Sequence, residues 1–378
     1  MSALPRHATD GESELPASML AALRCAPPVD RSGGFPRAWW RHLASRGLLG
    51  VGFDADRKAA RADSMAIASL AGLIARETSS LGLALAWLMN EMLGRFVIGP
   101  HAGDEAERTL LRMMAGGAKI VALAISEPGA GAHPKHLSCL ATPHGSHWRL
   151  DGEKAFVSNG PAADAFVVLA VTGQAGGRKV FDALVVDAGA PGLVRLPARG
   201  PETLPPLGHC GLAFNACHAA RLRTDGRAFD LIARPLRAIE DALLVSVVCG
   251  AMQAQLETLA SWQRRVAPAP AALRGLGGLQ LELAALAKLA AACAMHLDTY
   301  GVDDRLPDLN VGVQLALERW QDACEGFAAP LGAHGPQLID LGRDIRTVLG
   351  IARSVRETRQ LSAGTVLLNN EESDEVPA

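Results

Sequence analysis

ALAISEPGAGAHPKHLSCLATPHGSHWRLDGEKAFVSNGPAADAFVVLAVT, residues 122–172, is the stretch on which the fold of this chain turns. IVALAIS, HWRLDG, EKAFVSNG and AFVVLAV are short β-branched or alternating runs, and Gly, Pro, Asn and Asp separate them. This is the texture of strands joined by turns. FDALVVD (181–187) continues it, so a β domain is expected from Ala118 to about Leu222.

Outward from this block the period changes. On the N-terminal side, FPRAWWRHLASRGLLG (35–50) sets Trp39, Leu43 and Leu48 at helix-like intervals, with Gly47 placed to cap the end. SMAIASLAGLIARETSSLGLALAWLMNEML (64–93) is apolar almost all round, as in helices buried between partners. EAERTLLRMMAGG (105–117) reads as an amphipathic helix stopped by a glycine pair. On the C-terminal side, long helices are expected over 239–263, 276–301 and 309–332, with a last one from about Leu338. Four such helices with short connections make a bundle. The expected class is α+β: an N-terminal helical domain (1–117), a middle β-barrel domain (118–226) and a C-terminal four-helix bundle (227–378). Helices, then strands, then helices do not form a βαβ array, which argues against a Rossmann fold.

At 378 residues, the chain is long enough for two or three structural units, and 49% hydrophobic residues supply a sizeable core. With 37 basic against 39 acidic side chains, nothing suggests an electrostatic grip on nucleic acid, and no Lys/Arg block marks a membrane surface. Residues 1–16 are polar and lack an apolar signal region, and no run of 18 apolar residues occurs. A soluble, cytoplasmic protein is expected. The seven cysteines form no CxxC, which argues against both a disulfide framework and zinc. Cys210 and Cys217, with His209 and His218 beside them, lie in a strand-rich stretch; no metal site is expected.

The 122–172 stretch resembles the middle-domain signature of the acyl-CoA dehydrogenase family. There a "TEPGAGSD" segment, a "W.LNG.K.(W/F)ITNG" segment and an "AD..VVLA.T" strand follow one another at this spacing. LGAHG (331–335) and GRDIR (342–346) resemble the family's C-terminal "LGG.G…RD.R". The resemblance implies FAD as cofactor. Hydroxyl residues of the first two segments serve the polar edge of the isoalloxazine ring, and an aromatic lies beside the ring. These roles map onto Ser126, Ser158 and Phe156, while Gly129 and Gly131 supply tight turns. Taken separately, EPGAG and SNGP also read as plain β-turns.

A dehydrogenase of this kind needs a carboxylate against the substrate α-carbon. In many members it is the Glu of a "YEGT" turn, whose place here is Ala352. A branch resembling isovaleryl- and long-chain acyl-CoA dehydrogenases carries it ten residues before the second Gly of "AAG..G..Q". With Gly250 and Gln253 in those places, the position is Glu240. The competing reading makes Glu240 a surface partner of Arg237, three residues before it. Asp241 stands where the family has Arg, Ala132-His133 replace Ser-Asp after EPGAG, and Ala329 replaces a Gln. Arg264 or Arg265 stands nearest the family's pyrophosphate-binding Arg, or else is a solvated helix-end pair.

The function so implied is FAD-dependent dehydrogenation of an acyl thioester, on CoA or a carrier protein, to an α,β-unsaturated product. The rivals are a flavin-dependent monooxygenase on the same fold and a flavin-less, non-catalytic homologue. An electron-transfer flavoprotein partner and a homodimer or homotetramer are implied by the resemblance as well.

Overall fold

The computed structural model describes residues 16–28, 34–54, 63–198, 204–265, 269–331, 335–351 and 353–369. Among these residues five α-helices come first: α1 (Ala17–Arg24), α2 (Arg37–Ser45), α3 (Ser64–Thr78), α4 (Leu81–Met92) and α5 (Glu105–Ala115). Polar side chains fix three of their starts. Asp63 accepts the N–H of Ala66, Ser80 that of Leu83, and Asp104 with Glu107 closes a capping box. The apolar run 64–93 is two helices, broken where Ser79 turns left-handed at φ 50°. Leu48 lies beyond the end of α2, buried, with its carbonyl accepting from Trp87 Nε1 at 2.5 Å.

Seven strands follow: β1 (Val121–Ala124), β2 (Leu140–His144), β3 (His147–Ser158), β4 (Ala165–Ala175), β5 (Arg178–Asp187), β6 (Leu193–Leu196) and β7 (His209–Arg221). β4, β2, β3, β7 and β5 pair in that order, and β5 returns to β4, closing a barrel; β1 also lies on β4 and β6 on β7. β4 is buried throughout Ala165–Val171 because both its faces are covered. Phe166, Val168 and Ala170 join one apolar cluster with residues of β3 and β7, whereas Ala165, Val167, Leu169 and Val171 join a second with Leu110, Leu111 and Met114 of α5.

Five further α-helices follow among the described residues: α6 (Arg234–Gln263), α7 (Pro270–Tyr300), α8 (Leu306–Ala328), α9 (Pro336–Gly350) and α10 (Arg353–Asn369). The first four begin three to six residues earlier than, or close to, where hydrophobic periodicity put them, each with a proline in its first turn. Proline lacks an N–H that this turn would leave unpaired anyway, and its φ suits a helix. α9 ends at Ile351, whose ψ of 133° is extended, and α10 is an additional helix beyond it.

One continuous core joins α1–α4 to α6–α9. Its tightest crossing is α3 on α6, where a Cβ on Gly250 would stand 1.9 Å from the Gly72 carbonyl oxygen. Gly250 is therefore explained by backbone contact between two helices. Among the described residues three helical stretches are long and apolar enough to cross a membrane: Leu81–His101, Phe229–Gln263 and Pro270–Tyr300. The first two spend that apolar surface mostly inside the fold, being 83% and 72% buried, against 33% for the third.

Candidate functional site

β3 pairs with β7, through one register shift between Leu150 and Gly152, as far as Lys154, opposite Leu212, and resumes after a second shift at Val157, opposite Cys210. The residues between form a bulge, and the bulge turns Phe156 outward at φ +56° with 59% of its surface exposed. A bulky side chain in the left-handed region is strained and persists only where its surroundings enforce it. Beside the bulge runs the loop after β1. Ala155 N–H, freed from the β7 ladder, donates to the Ser126 carbonyl at 2.8 Å. Ser158 follows two residues after Phe156 and pairs with His209 of β7, whose imidazole burial pushes below its ordinary pKa. Ser126, Phe156 and Ser158 thus meet on one stretch of barrel wall. Both serines are half-buried, and neither hydroxyl is engaged by another described residue. Two open hydroxyls next to an exposed aromatic suit the polar edge and flat face of a flavin ring.

The EPGAG turn is closed by Glu127 and Gly131, which exchange backbone bonds of 2.9 and 3.1 Å. Gly129 (φ +73°) and Gly131 (φ +56°) supply its left-handed positions. Its glutamate faces inward. Glu127 Oε1 accepts from Lys154 Nζ and Cys139 N–H at 2.9 Å each, and Oε2 from Ser138 N–H and Oγ at 2.7 and 2.8 Å. Burial opposes the carboxylate's charge, but the Lys154 ammonium and these N–H groups hold its pKa below the ordinary range. Sequence reading passed over Lys154. Its signal was a lysine at an inward position of a strand, between Leu150 and Val157, which demands a buried counter-charge. Two further groups fix the SNGP turn. Asn159, buried at φ +60°, donates to the Ala86 carbonyl of α4, and its Oδ1 is left unpaired. Arg195 of β6 donates to the carbonyls of Gly160 and Ala163 at 3.1 and 2.6 Å.

The remaining candidates sit on helix. Glu240 lies in the second turn of α6, and its contact with Arg237 is long, 3.8 Å. Arg237 instead forks onto Asp241 at 2.9 and 2.5 Å, and Gln314 donates to the same aspartate. Asp241, the residue that departs from the family pattern, therefore draws Arg237 away from Glu240. Burial raises the Glu240 carboxyl above its ordinary pKa against the pull of Arg237. No hydrogen bond or ion pair joins Glu240 to the barrel trio among the described residues. Arg264 caps the far end of α6 and is exposed; at 1.5 Å per residue it stands roughly 36 Å from Glu240. Ala352 lies outside the described residues. A cleft of about 310 Å³ between α6, α8 and α9 brings together Gln255, Ala329, Leu338, Gly342 and Arg343.

Residues 122–217 match the sequence model of the acyl-CoA dehydrogenase middle domain. Over this segment the chain is similar to the acyl-CoA dehydrogenase family. A 3-(aryl)acrylate reductase of Clostridium sporogenes is 29% identical over 165 residues, 43% of either protein, and the chain spans less than half the length of the curated relatives it matches first. Among solved structures, butyryl-CoA dehydrogenase from Megasphaera elsdenii superposes with a TM-score of 0.76 at 18% identity, covering 95% of this chain and all of that one. KijD3, in complex with FMN and an amino-keto sugar on dTDP, superposes with a TM-score of 0.72 at 23% identity, covering 93% and 91%. At these identities the superpositions establish the acyl-CoA dehydrogenase fold of the family, helices flanking a β-barrel.

Proposed function

We propose that this chain is a flavoenzyme of the acyl-CoA dehydrogenase type, oxidising an acyl thioester to its α,β-unsaturated form. The observation that carries the flavin half is the bulge of β3, which exposes Phe156 two residues before Ser158 and next to Ala155, whose N–H is bonded to the Ser126 carbonyl. FAD, when bound, supplies the hydride acceptor. Ser126 and Ser158 would hold its polar edge by donating hydrogen bonds, and Phe156 would cover its side and exclude water.

Glu240 is the candidate base for the substrate α-proton. Two features support it: Asp241 occupies Arg237, and burial raises the Glu240 carboxyl, the direction that suits a proton acceptor. The base is competent only when ionised, so the reductive half-reaction is expected to rise with pH through a pKa above the ordinary carboxylate range. An electron-transfer flavoprotein as acceptor belongs to the same reading. So does assembly as a dimer or tetramer, which would cover the exposed Leu281, Met295, Leu361 and Leu367 of α7 and α10.

The test is anaerobic mixing of FAD-loaded protein with a panel of acyl thioesters. The wild type should lose its visible flavin band, and Glu240→Gln should slow that loss at least about a hundredfold. A Glu240→Gln variant as fast as the wild type removes Glu240 from the reaction. The KijD3 complex, which pairs this fold with FMN and a sugar nucleotide, favours a second reading as a flavin monooxygenase. In that case the band responds to a reductant such as NAD(P)H and not to thioesters.

A further inference from the structure

We propose that Lys154, paired with Glu127 inside the barrel wall, is the positioning residue that aims Ser126 at the flavin; this rests on the flavin reading above. The lysine side chain is wholly buried and that of Glu127 is 5% exposed. Nζ donates to the Ile125 carbonyl and to Glu127 Oε1, each at 2.9 Å. These two acceptors flank Ser126 in the chain, and the Ser126 carbonyl itself takes the N–H of Ala155. Three consecutive loop residues, 125 to 127, are thereby tied to two consecutive strand residues, 154 and 155. The loop cannot turn about its own axis without breaking one of these bonds.

Lys154 is also the last residue in register with β7 before the bulge that displays Phe156. One side chain therefore sets the height of the ring-edge donor and anchors the strand from which the ring-side aromatic projects. An apolar residue would fill this place at less cost, because the apolar Leu212 stands opposite it on β7 and buried Cys139 shares its carboxylate partner. Burying an ammonium and a carboxylate together adds little to stability over a hydrophobic pair, whereas it enforces one arrangement over its neighbours. Glu127 completes the device at the far end: its bonds to Ser138 and Cys139 hold the segment that leads into β2.

The test compares Lys154→Met and Lys154→Arg with the wild type and with Ser126→Ala as the reference for a lost ring-edge donor. Each full-length chain is melted by circular dichroism, then titrated with FAD, and the bound flavin's absorption spectrum and reduction potential are recorded. For Lys154→Met, affinity for FAD should fall about tenfold or more, the scale of one lost charge-assisted bond. Spectrum and potential should move in the direction that Ser126→Ala moves them. Lys154→Arg keeps the charge but not both bonds and should fall between. A folded Lys154→Met that binds FAD with wild-type affinity, spectrum and potential overturns the proposal. So does a loss of affinity with spectrum and potential unmoved, which a merely structural role would give. If Lys154→Met does not fold, Lys154→Arg is judged by the same readouts. A wild-type chain that takes up no FAD overturns the flavin reading and this proposal together; unchanged variants of a yellow wild type overturn this proposal alone.

Discussion

The barrel and helix α6 both carry candidate residues, but they hold them differently. On the barrel, Ser126, Phe156 and Ser158 are displayed at the surface while polar groups lock the backbone beneath them: buried Lys154 on Glu127, buried Asn159 on Ala86, and exposed Arg195 on Gly160. On α6, Glu240 and Arg264 stand near opposite ends of a 30-residue helix whose buried residues serve the common core. A ring-binding site needs several groups fixed to a fraction of an ångström, and the barrel has the means to fix them. A base or a pyrophosphate contact is a single group on a rigid rod, for which the helix itself suffices.

The sharpest way to break this contrast is to unpair the barrel's buried charge. Glu127→Ala leaves Lys154 without a counter-ion in an apolar wall and should cost about 3–5 kcal/mol in chemical denaturation. A cost below about 1 kcal/mol would mean that water reaches the lysine and the lock is loose.

A second buried glutamate sharpens the comparison through pH. Glu91 of α4 is fully buried, and its partners among the described residues are N–H groups of Gly50, Gly52 and Asn90 rather than a cation. Burial pushes its carboxyl up from 4.5 to about 7. The folded state therefore holds this proton more tightly than the unfolded chain. Its contribution is complete below about pH 4.5 and is lost as pH rises through 7, a change of roughly 3 kcal/mol. Glu127, with its depressed pKa, has the opposite slope: its contribution is present above the unfolded carboxylate value and is lost as pH falls below it. Denaturation midpoints of Glu91→Gln between pH 5 and 8 should be flatter than those of the wild type, although the variant is less stable overall.

Smaller effects follow. Asn159→Ala removes the bond to α4 and places alanine at a left-handed φ, which should cost about 1–3 kcal/mol by the same measurement. Arg264→Ala, at an exposed helix end, should change stability by no more than about 0.5 kcal/mol.

Much of this was legible in the sequence, for identifiable reasons. Alternating β-branched runs gave the strands of 121–187, and the EPGAG and SNGP turns, beside which the candidates Ser126, Phe156 and Ser158 lie, were readable because they depend on local turn chemistry. Helix starts were set too late wherever the apolar run was followed and the proline before it was not, as at Pro270. Helix α10 escaped because its apolar residues stay exposed and give no core-facing stripe. Gly250 looked like part of a site motif; its backbone contact with Gly72 joins residues 178 positions apart and has no local signature. The same holds for Lys154, whose meaning depends on a carboxylate 27 residues away.

The most direct test of the barrel as a flavin site is the visible spectrum of the purified chain after incubation with FAD and removal of the excess. A retained flavin band, weakened in Ser126→Ala and Ser158→Ala while both variants stay folded, is the predicted result. A colourless wild-type protein would contradict it and favour the reading of the chain as a flavin-less, non-catalytic relative of the acyl-CoA dehydrogenases.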